Sequence, residues 1–254
     1  MQRAEHKTIL ITGASSGIGK ACAIALAQEG ARLILFARRL DKLQALKLEL
    51  ENNYQTKVYI AQCDVTKEQS VHNALTQLPD EFQTIDVLIN NAGLAVGLEK
   101  MHEGLFADWD QMIDTNIKGL LYMIRQILPG MLARNKGHVI NLGSTAGHQT
   151  YPGGSVYCAT KSAVTAITKT LNHEVAGSKI RVTEIAPGMV ETEFSVVRFK
   201  GDKVRADKVY ENVTALTAND IADAAVYAIT RPDHVNIAQI ILYSTDQPMA
   251  NRPG

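Results

Sequence analysis

A tyrosine and a lysine four residues apart, Tyr157 and Lys161, follow a serine, Ser144, thirteen positions upstream. Residues i and i+4 share one face of a helix, so the phenol and the ammonium would sit side by side. Free tyrosine has a pKa of about 10, too high for efficient proton exchange at neutral pH. An ammonium about 4 Å away, at an effective dielectric of ~20, contributes on the order of 4 kcal/mol and would lower that pKa by up to ~3 units. Tyr157 is therefore expected to act as a general acid/base tuned by Lys161. Ser144 would hydrogen-bond the substrate oxygen and hold it beside the phenol. Near the N-terminus, the apolar run Ile9-Leu10-Ile11 leads into Thr12-Gly13-Ala14-Ser15-Ser16-Gly17-Ile18-Gly19. A glycine loop between a strand and a helix is built to take a phosphate. A proton donor, a cation that tunes it and a phosphate loop describe a carbonyl/alcohol oxidoreductase. Its substrate would be a small molecule, and its cofactor one that carries hydride.

The glycines Gly13, Gly17 and Gly19 follow G-x-x-x-G-x-G rather than the commoner G-x-G-x-x-G. The physics is shared. Gly13 would turn the chain at the strand's end, Gly17 would let backbone approach a pyrophosphate, and Gly19 would let the helix pack on the sheet. Ser15 and Ser16 add hydroxyls, and Ile18 opens the helix. An acidic residue ending the second strand would select NAD through its ribose hydroxyl. Here the strand runs into Arg38-Arg39, and two guanidinium groups favour a 2′-phosphate, hence NADP over NAD. A solvated basic turn is the alternative, with Asp41 close by at the start of the next helix.

These groups need a frame. Short apolar runs over 8–12, 32–37, 57–62, 87–90, 138–142, 181–185 and 239–242 read as strands. Most are apolar on consecutive residues, as in parallel strands buried on both faces. Helical patterns over 18–28, 42–52, 68–78, 106–135, 156–176 and 218–230 alternate with them. The expected fold class is α/β, a Rossmann-type doubly wound parallel sheet of about seven strands with helices on both faces. One domain over 1–254 holds both cofactor and catalytic groups, with no repeat or low-complexity linker. The stretch 189–217 has no clear period and reads as an irregular substrate lid, or else a plain surface excursion. The tail over 244–254, with Pro248 and Pro253, is either a docking arm or frayed.

Composition narrows the partners. The chain has 254 residues, 46% of them hydrophobic, with 26 basic and 26 acidic side chains. Zero formal charge argues against nucleic acid and against an anionic membrane. No apolar run approaches the length of a membrane span. Cys22, Cys63 and Cys158 are odd in number and lack C-x-x-C spacing, so a disulfide framework or structural zinc is not expected. A reducing interior, the cytoplasm, is the natural setting, because residues 1–8 are polar and show no secretory signal. The seven histidines lack metal-ligand spacing, and no metal is expected. His148 could line the substrate site or face solvent. Trp109, among Asp108, Asp110 and Asp114, reads as a charged helix start. Cys158 need not face the pocket, since one helical step turns about 100°.

Taken together, the chain resembles the short-chain dehydrogenase/reductase family over nearly its whole length. The motifs are the Thr12–Gly19 loop, Cys63-Asp64-Val65, Asn90-Asn91-Ala92-Gly93, Asn116, Ser144, Tyr157, Lys161, and Pro187-Gly188 followed by Val190 and Thr192. The resemblance implies that Asp64 binds adenine and Val65 flanks it, and that Asn91, Ala92 and Gly93 line the cofactor site. It also implies that Pro187, Gly188, Val190 and Thr192 close on the nicotinamide, with Thr192 bonding the carboxamide. Asn116 would sit at a kink in the long helix and hold a water linking Lys161 to solvent, completing a catalytic tetrad. Lys161 would also bind the nicotinamide ribose. A homotetramer is implied, built partly on helices 106–135 and 156–176.

Within the family, the stretch 193–202 and the run Tyr210, Asn212, Ala215-Leu216-Thr217 resemble an NADP-dependent 3-hydroxy acid/serine dehydrogenase subgroup. A 3-oxoacyl carrier-protein reductase is an alternative, although its Gly-rich end is not matched by Tyr243-Ser244-Thr245-Asp246. A broad carbonyl reductase is another. Further off stand a catalytically silent NADP-sensing protein and a sugar-nucleotide epimerase, which would need an added substrate domain. A carboxylate substrate needs a cation beyond Lys161, and Arg198 is the candidate because its planar fork binds carboxylates bidentately.

Overall fold

The computed structural model describes residues 3–247. Seven parallel strands form one sheet: β1 (Thr8–Thr12), β2 (Arg32–Ala37), β3 (Val58–Gln62), β4 (Val87–Asn90), β5 (Gly137–Leu142), β6 (Ile180–Pro187) and β9 (Gln239–Leu242). Their order is β3-β2-β1-β4-β5-β6-β9, so the winding reverses between β1 and β4. The expected doubly wound sheet is present.

Alternation along the strands builds two cores. Ile9, Ile11, Leu33, Leu35 and Ile89 point to one face, under α1 (Gly17–Gln28), α2 (Leu40–Tyr54) and α9 (Ala218–Ile229). Leu10, Ile34, Phe36, Leu88 and Val139 point to the other, under α3 (Glu68–Thr76), α5 (Leu120–Arg134) and α6 (Ser155–Glu174). Both side-chain sets are fully buried, which is why these strands read as continuous apolar runs. Each such Leu or Ile contributes roughly 1.5–3 kcal/mol.

Two expectations are corrected. The long helix over 106–135 is three pieces: α4 (Phe106–Ile113), a π-helical turn (Asp114–Gly119) and α5. Residues 189–217 are not irregular. They form β7 (Val190–Glu191), α7 (Phe194–Arg198), α8 (Lys203–Lys208) and β8 (Leu216–Thr217), with β7 and β8 paired in parallel as a separate sheet. Helices of five and six residues are too short to print a period in the sequence. The start of the tail is docked there. Gln247 accepts from Met189 N at 2.9 Å and Asp246 from Thr214 N at 2.8 Å. Pro248 and Pro253 lie outside the described residues.

Candidate active site

At the carboxyl ends of the strands, where the winding reverses, lies a cleft of about 350 Å³. The β1–α1 loop forms its floor. Gly13 and Gly17 have φ of +65° and +53°, a region costly for other residues. The side chain of Asn91 staples this loop, donating to Thr12 O at 2.9 Å and Gly13 O at 3.3 Å. Thr12 Oγ1 in turn accepts from Asn91 N and Ala92 N. The Asn91 amide is thus committed to bracing the loop. Thr12, quoted in the loop motif but given no role of its own there, proves central to it.

Arg39 reaches over the loop. It donates to Ser16 Oγ at 2.6 Å and to Ser15 Oγ at 3.2 Å, and pairs with Glu193 at 3.0 Å. Arg38, Asp64, Val65, Ala92, Gly93, Pro187, Gly188, Val190 and Thr192 line the same cleft, as expected of a dinucleotide site. The Asp64 carboxylate also caps its own turn, accepting from Thr66 N and Thr66 Oγ1. Thr192 lies over Gly17, where a Cβ would come within 3.4 Å of it. A loop with backbone held open at its glycines, a basic rim and Thr192 over it could hold a dinucleotide.

Ser144, Tyr157 and Lys161 meet at the other end. Ser144 follows β5, and α6 carries Tyr157 and Lys161, both buried. Lys161 lies beside the Tyr157 ring, and its ammonium is also tied to backbone. Its Nζ donates to Leu142 O at 2.8 Å and stands 6.0 Å from the Tyr157 ring centroid. Burial pushes the phenol up to about 12, while the Ser144 hydroxyl and the Arg198 charge pull the other way. Burial also pushes Lys161 down to about 8. Desolvation outweighs the favourable neighbours in both cases.

Asn116 sits in the π-helical turn, at the expected break. Its Nδ2 donates to Leu94 O at 2.8 Å and Thr160 Oγ1 at 3.0 Å, and its Oδ1 accepts from Leu94 N at 2.9 Å. The turn is the local distortion that lets one side chain tie α6 to the loop after β4.

Arg198, at the end of α7, is brought to Tyr157. Its guanidinium carbon lies 5.2, 5.6 and 5.7 Å from the ring centroids of Tyr157, Phe194 and Tyr151. Nη2 donates to Tyr151 Oη at 2.5 Å, and the buried Nε has no partner among the described residues. Phe194 and Val197 form the cleft wall there, with Arg198 packed among the rings. No sequence spacing pointed to Tyr151 or Phe194. His148 turns away to Glu184, at 3.5 Å. Cys158 is buried in the apolar cluster with Leu94, Val96 and Met112. Trp109 packs edge-on against Phe106 at 5.2 Å. Among the described residues, no group of three or more His, Cys, Asp or Glu is placed to hold a metal. No helix there is long and apolar enough to cross a membrane.

Comparison with known proteins agrees with this geometry. Residues 7–203 match the family model described as short chain dehydrogenase. The chain is 47% identical to an NADP-dependent 3-hydroxy acid dehydrogenase of Schizosaccharomyces pombe, over 99% of this chain and 97% of that protein. It is 48% identical to one of Salmonella typhimurium, over 95% and 96%. A solved closed form of serine dehydrogenase complexed with NADP+ superimposes with a TM-score of 0.92 at 44% identity, covering 97% of this chain and 98% of that one. A family model that spans most of the chain, and relatives alike along nearly all of it, establish that this protein belongs to the short chain dehydrogenase family.

Proposed function

We propose that this enzyme is an NADP-dependent oxidoreductase that interconverts a small 3-hydroxy acid and its 3-oxo acid. The observation that carries the reading is the convergence of Ser144, Tyr157 and Lys161 at one end of a cleft whose other end is the glycine loop. NADP would supply or accept the hydride. Backbone at Gly13, Ser15, Ser16, Gly17 and Ile18 would hold its pyrophosphate, with Gly19 packed close under the loop against Asn91 and Gly13; Arg38 and Arg39 would hold its 2′-phosphate, and Asp64 and Val65 its adenine. Asn91, Ala92, Gly93, Pro187, Gly188, Val190 and Thr192 would enclose the remainder. The 2′-phosphate would compete with Glu193 for Arg39, since the pair is exposed and weak.

Ser144 orients the substrate oxygen, and Tyr157 exchanges a proton with it. Held up to about 12, the phenol keeps its proton at neutral pH, the form that protonates a developing alkoxide during reduction. Lys161 supports the site by its charge and binds ribose, while Asn116 fixes α6 against the loop after β4. Arg198 is the proposed carboxylate anchor, because its Nε is an unfilled buried donor beside the reacting tyrosine. Contact with substrate requires its side chain to turn past Phe194 and Val197 into the cleft. The assembly is read as a homotetramer in the cytoplasm, with Ile113, Leu121 and Leu132 exposed along α4 and α5 for subunit contact.

One experiment tests cofactor and substrate together: a panel of 3-hydroxy acids and neutral alcohols, run with NADP and NAD under identical conditions. Arg38 and Arg39 changed together to Gln should weaken NADP by a few kcal/mol at most, at ~1.5–3 kcal/mol per charged hydrogen bond, and NAD much less. Arg198→Ala should raise KM for 3-hydroxy acids and spare neutral alcohols of similar size. Equal losses in each comparison would place those arginines elsewhere, and no turnover of any 3-hydroxy acid would sink the substrate reading.

A further inference from the structure

A carboxylate outside the reading so far lies buried at the edge of the site. Glu184, on β6 opposite Asn141 of β5, is 1% exposed. Burying an ionised carboxylate costs several kcal/mol unless donors and a cation meet it. The donors are present. Thr165 Oγ1 donates to Oε1 at 2.7 Å and Gln239 Nε2 to Oε2 at 2.7 Å. Thr165 stands one turn beyond Lys161 on α6, with its hydroxyl 3.2 Å from the Lys161 carbonyl. Room for the carboxylate comes from Gly143, the residue before Ser144, where any Cβ would run into Glu184 Oε1. The carboxylate is thus packed against the residues that carry Ser144 and Lys161.

The charges around it are few. From the turn after Ser144, His148 faces Glu184 at 3.5 Å and is a cation only when protonated. From β9 comes Gln239, which is uncharged. Arg181, on β6 with Glu184, is turned to the carbonyls of Ala228 and Ile229. Lys161 is the ammonium on α6. Its own neighbours are Tyr157, the Leu142 carbonyl, and the space beside Gly93, where a Cβ would lie 3.5 Å from Nζ. The ammonium and the carboxylate flank one stretch of backbone: Nζ is bonded to Leu142 O, and Glu184 Oε1 lies against Gly143, the next residue, with no direct ion pair between them among the described residues. Burial pushes Lys161 down to about 8, and the Glu184 charge opposes this.

We propose that Glu184 is a positioning residue for the reaction, the buried counter-charge that holds the Lys161 ammonium ionised beside Tyr157. The inference rests on the reading that Lys161 works as an ammonium. It also gives a reason for glycine at 143: a side chain there would displace the counter-charge.

The test uses the full-length enzyme with 13Cε-labelled lysine. The Lys161 resonance is the one lost in Lys161→Arg. Its titration midpoint should fall by at least about half a pH unit in Glu184→Gln, since an opposite charge nearby favours the ionised form. The alkaline limb of kcat/KM should move the same way, and Glu184→Asp should restore most of the shift. Gln239→Lys, which neutralises the carboxylate without replacing it, should also lower the midpoint and decides the matter if Glu184→Gln does not fold. His148→Gln should leave it in place, and a shift there as large as in Glu184→Gln would show that packing rather than charge is responsible. An unmoved midpoint in Glu184→Gln and Gln239→Lys overturns the inference. Normal turnover in Lys161→Met would instead overturn the underlying role of Lys161.

Discussion

Tyr157 sits between the Ser144 hydroxyl, the Phe194 ring at 5.7 Å and the Arg198 guanidinium, and this enclosure sets how it can act. Replacing it by Phe removes one oxygen from a buried wall and leaves the packing. Turnover should fall at least ~10²-fold, the lower end of general acid/base effects, with cofactor affinity retained. Single-turnover measurements that isolate the chemical step check this, and a near-normal rate there would remove Tyr157 from the reaction. The tyrosine, the lysine and the serine were legible because a helix face and a strand end follow from spacing. The tuning was not. Coulomb attraction between Tyr157 and Lys161 can be estimated from four residues of sequence, but desolvation depends on Leu94, Val96, Met112 and Phe194, which meet Tyr157 only after folding. Arg198 was proposed from its chemistry alone, and its partner Tyr151 lies 47 residues away in the chain.

Among the elements, the segment 189–217 departs most from its sequence reading. Its two short helices and the β7–β8 pair place Thr192 over Gly17, Glu193 on Arg39 and Arg198 on Tyr157. One stretch of chain therefore touches both ends of the cleft, which supports its proposed role as a lid. Its polar ties to the rest of the chain are mostly at the surface: the ion pairs Glu193–Arg39 and Lys200–Asp108, the Arg198–Tyr151 hydrogen bond, the Gly97–Arg198 backbone bond, and the bonds of Met189 and Thr214 to Gln247 and Asp246. Such elements open at low free-energy cost. Amide exchange across 189–217 should slow when NADP and substrate are both bound. Unchanged protection throughout would reduce it to a structural excursion. The π-helical turn is likewise invisible to periodicity, because Asp114–Gly119 continues the pattern of apolar and polar residues on either side. It is the tie between Asn116 and the Leu94 backbone that uses the break.

For the molecule as a whole, acid should destabilise the fold through His138. This ring on β5 is buried beside Arg181, with Nε2 on Thr183 Oγ1 at 2.8 Å and Nδ1 unpartnered among the described residues. Burial holds its pKa well below the ordinary 6.5, and the Arg181 and Lys7 charges add to that. Below about 6.5 the unfolded chain takes up a proton that the folded one refuses, so stability present above that pH is lost by up to ~1.4 kcal/mol per unit as pH falls. Urea unfolding of wild type and His138→Gln between pH 7 and 5 should diverge by this slope, and parallel curves would exclude His138 as the cause. Light scattering should give the mass of four chains if the exposed Ile113, Leu121 and Leu132 are covered by other copies, whereas a monomer at micromolar concentration would refute the tetramer. By itself the sequence determined the sheet, the glycine loop after β1 and the candidate trio of Ser144, Tyr157 and Lys161, because strands buried on both faces and i,i+4 pairs print local patterns. Only the tertiary structure decided that Lys161 bonds Leu142, that Asn91 braces the loop, that Glu184 is buried by Gly143, and that 189–217 spans the cleft. Those outcomes rest on burial and on contacts between distant segments, which no local spacing encodes.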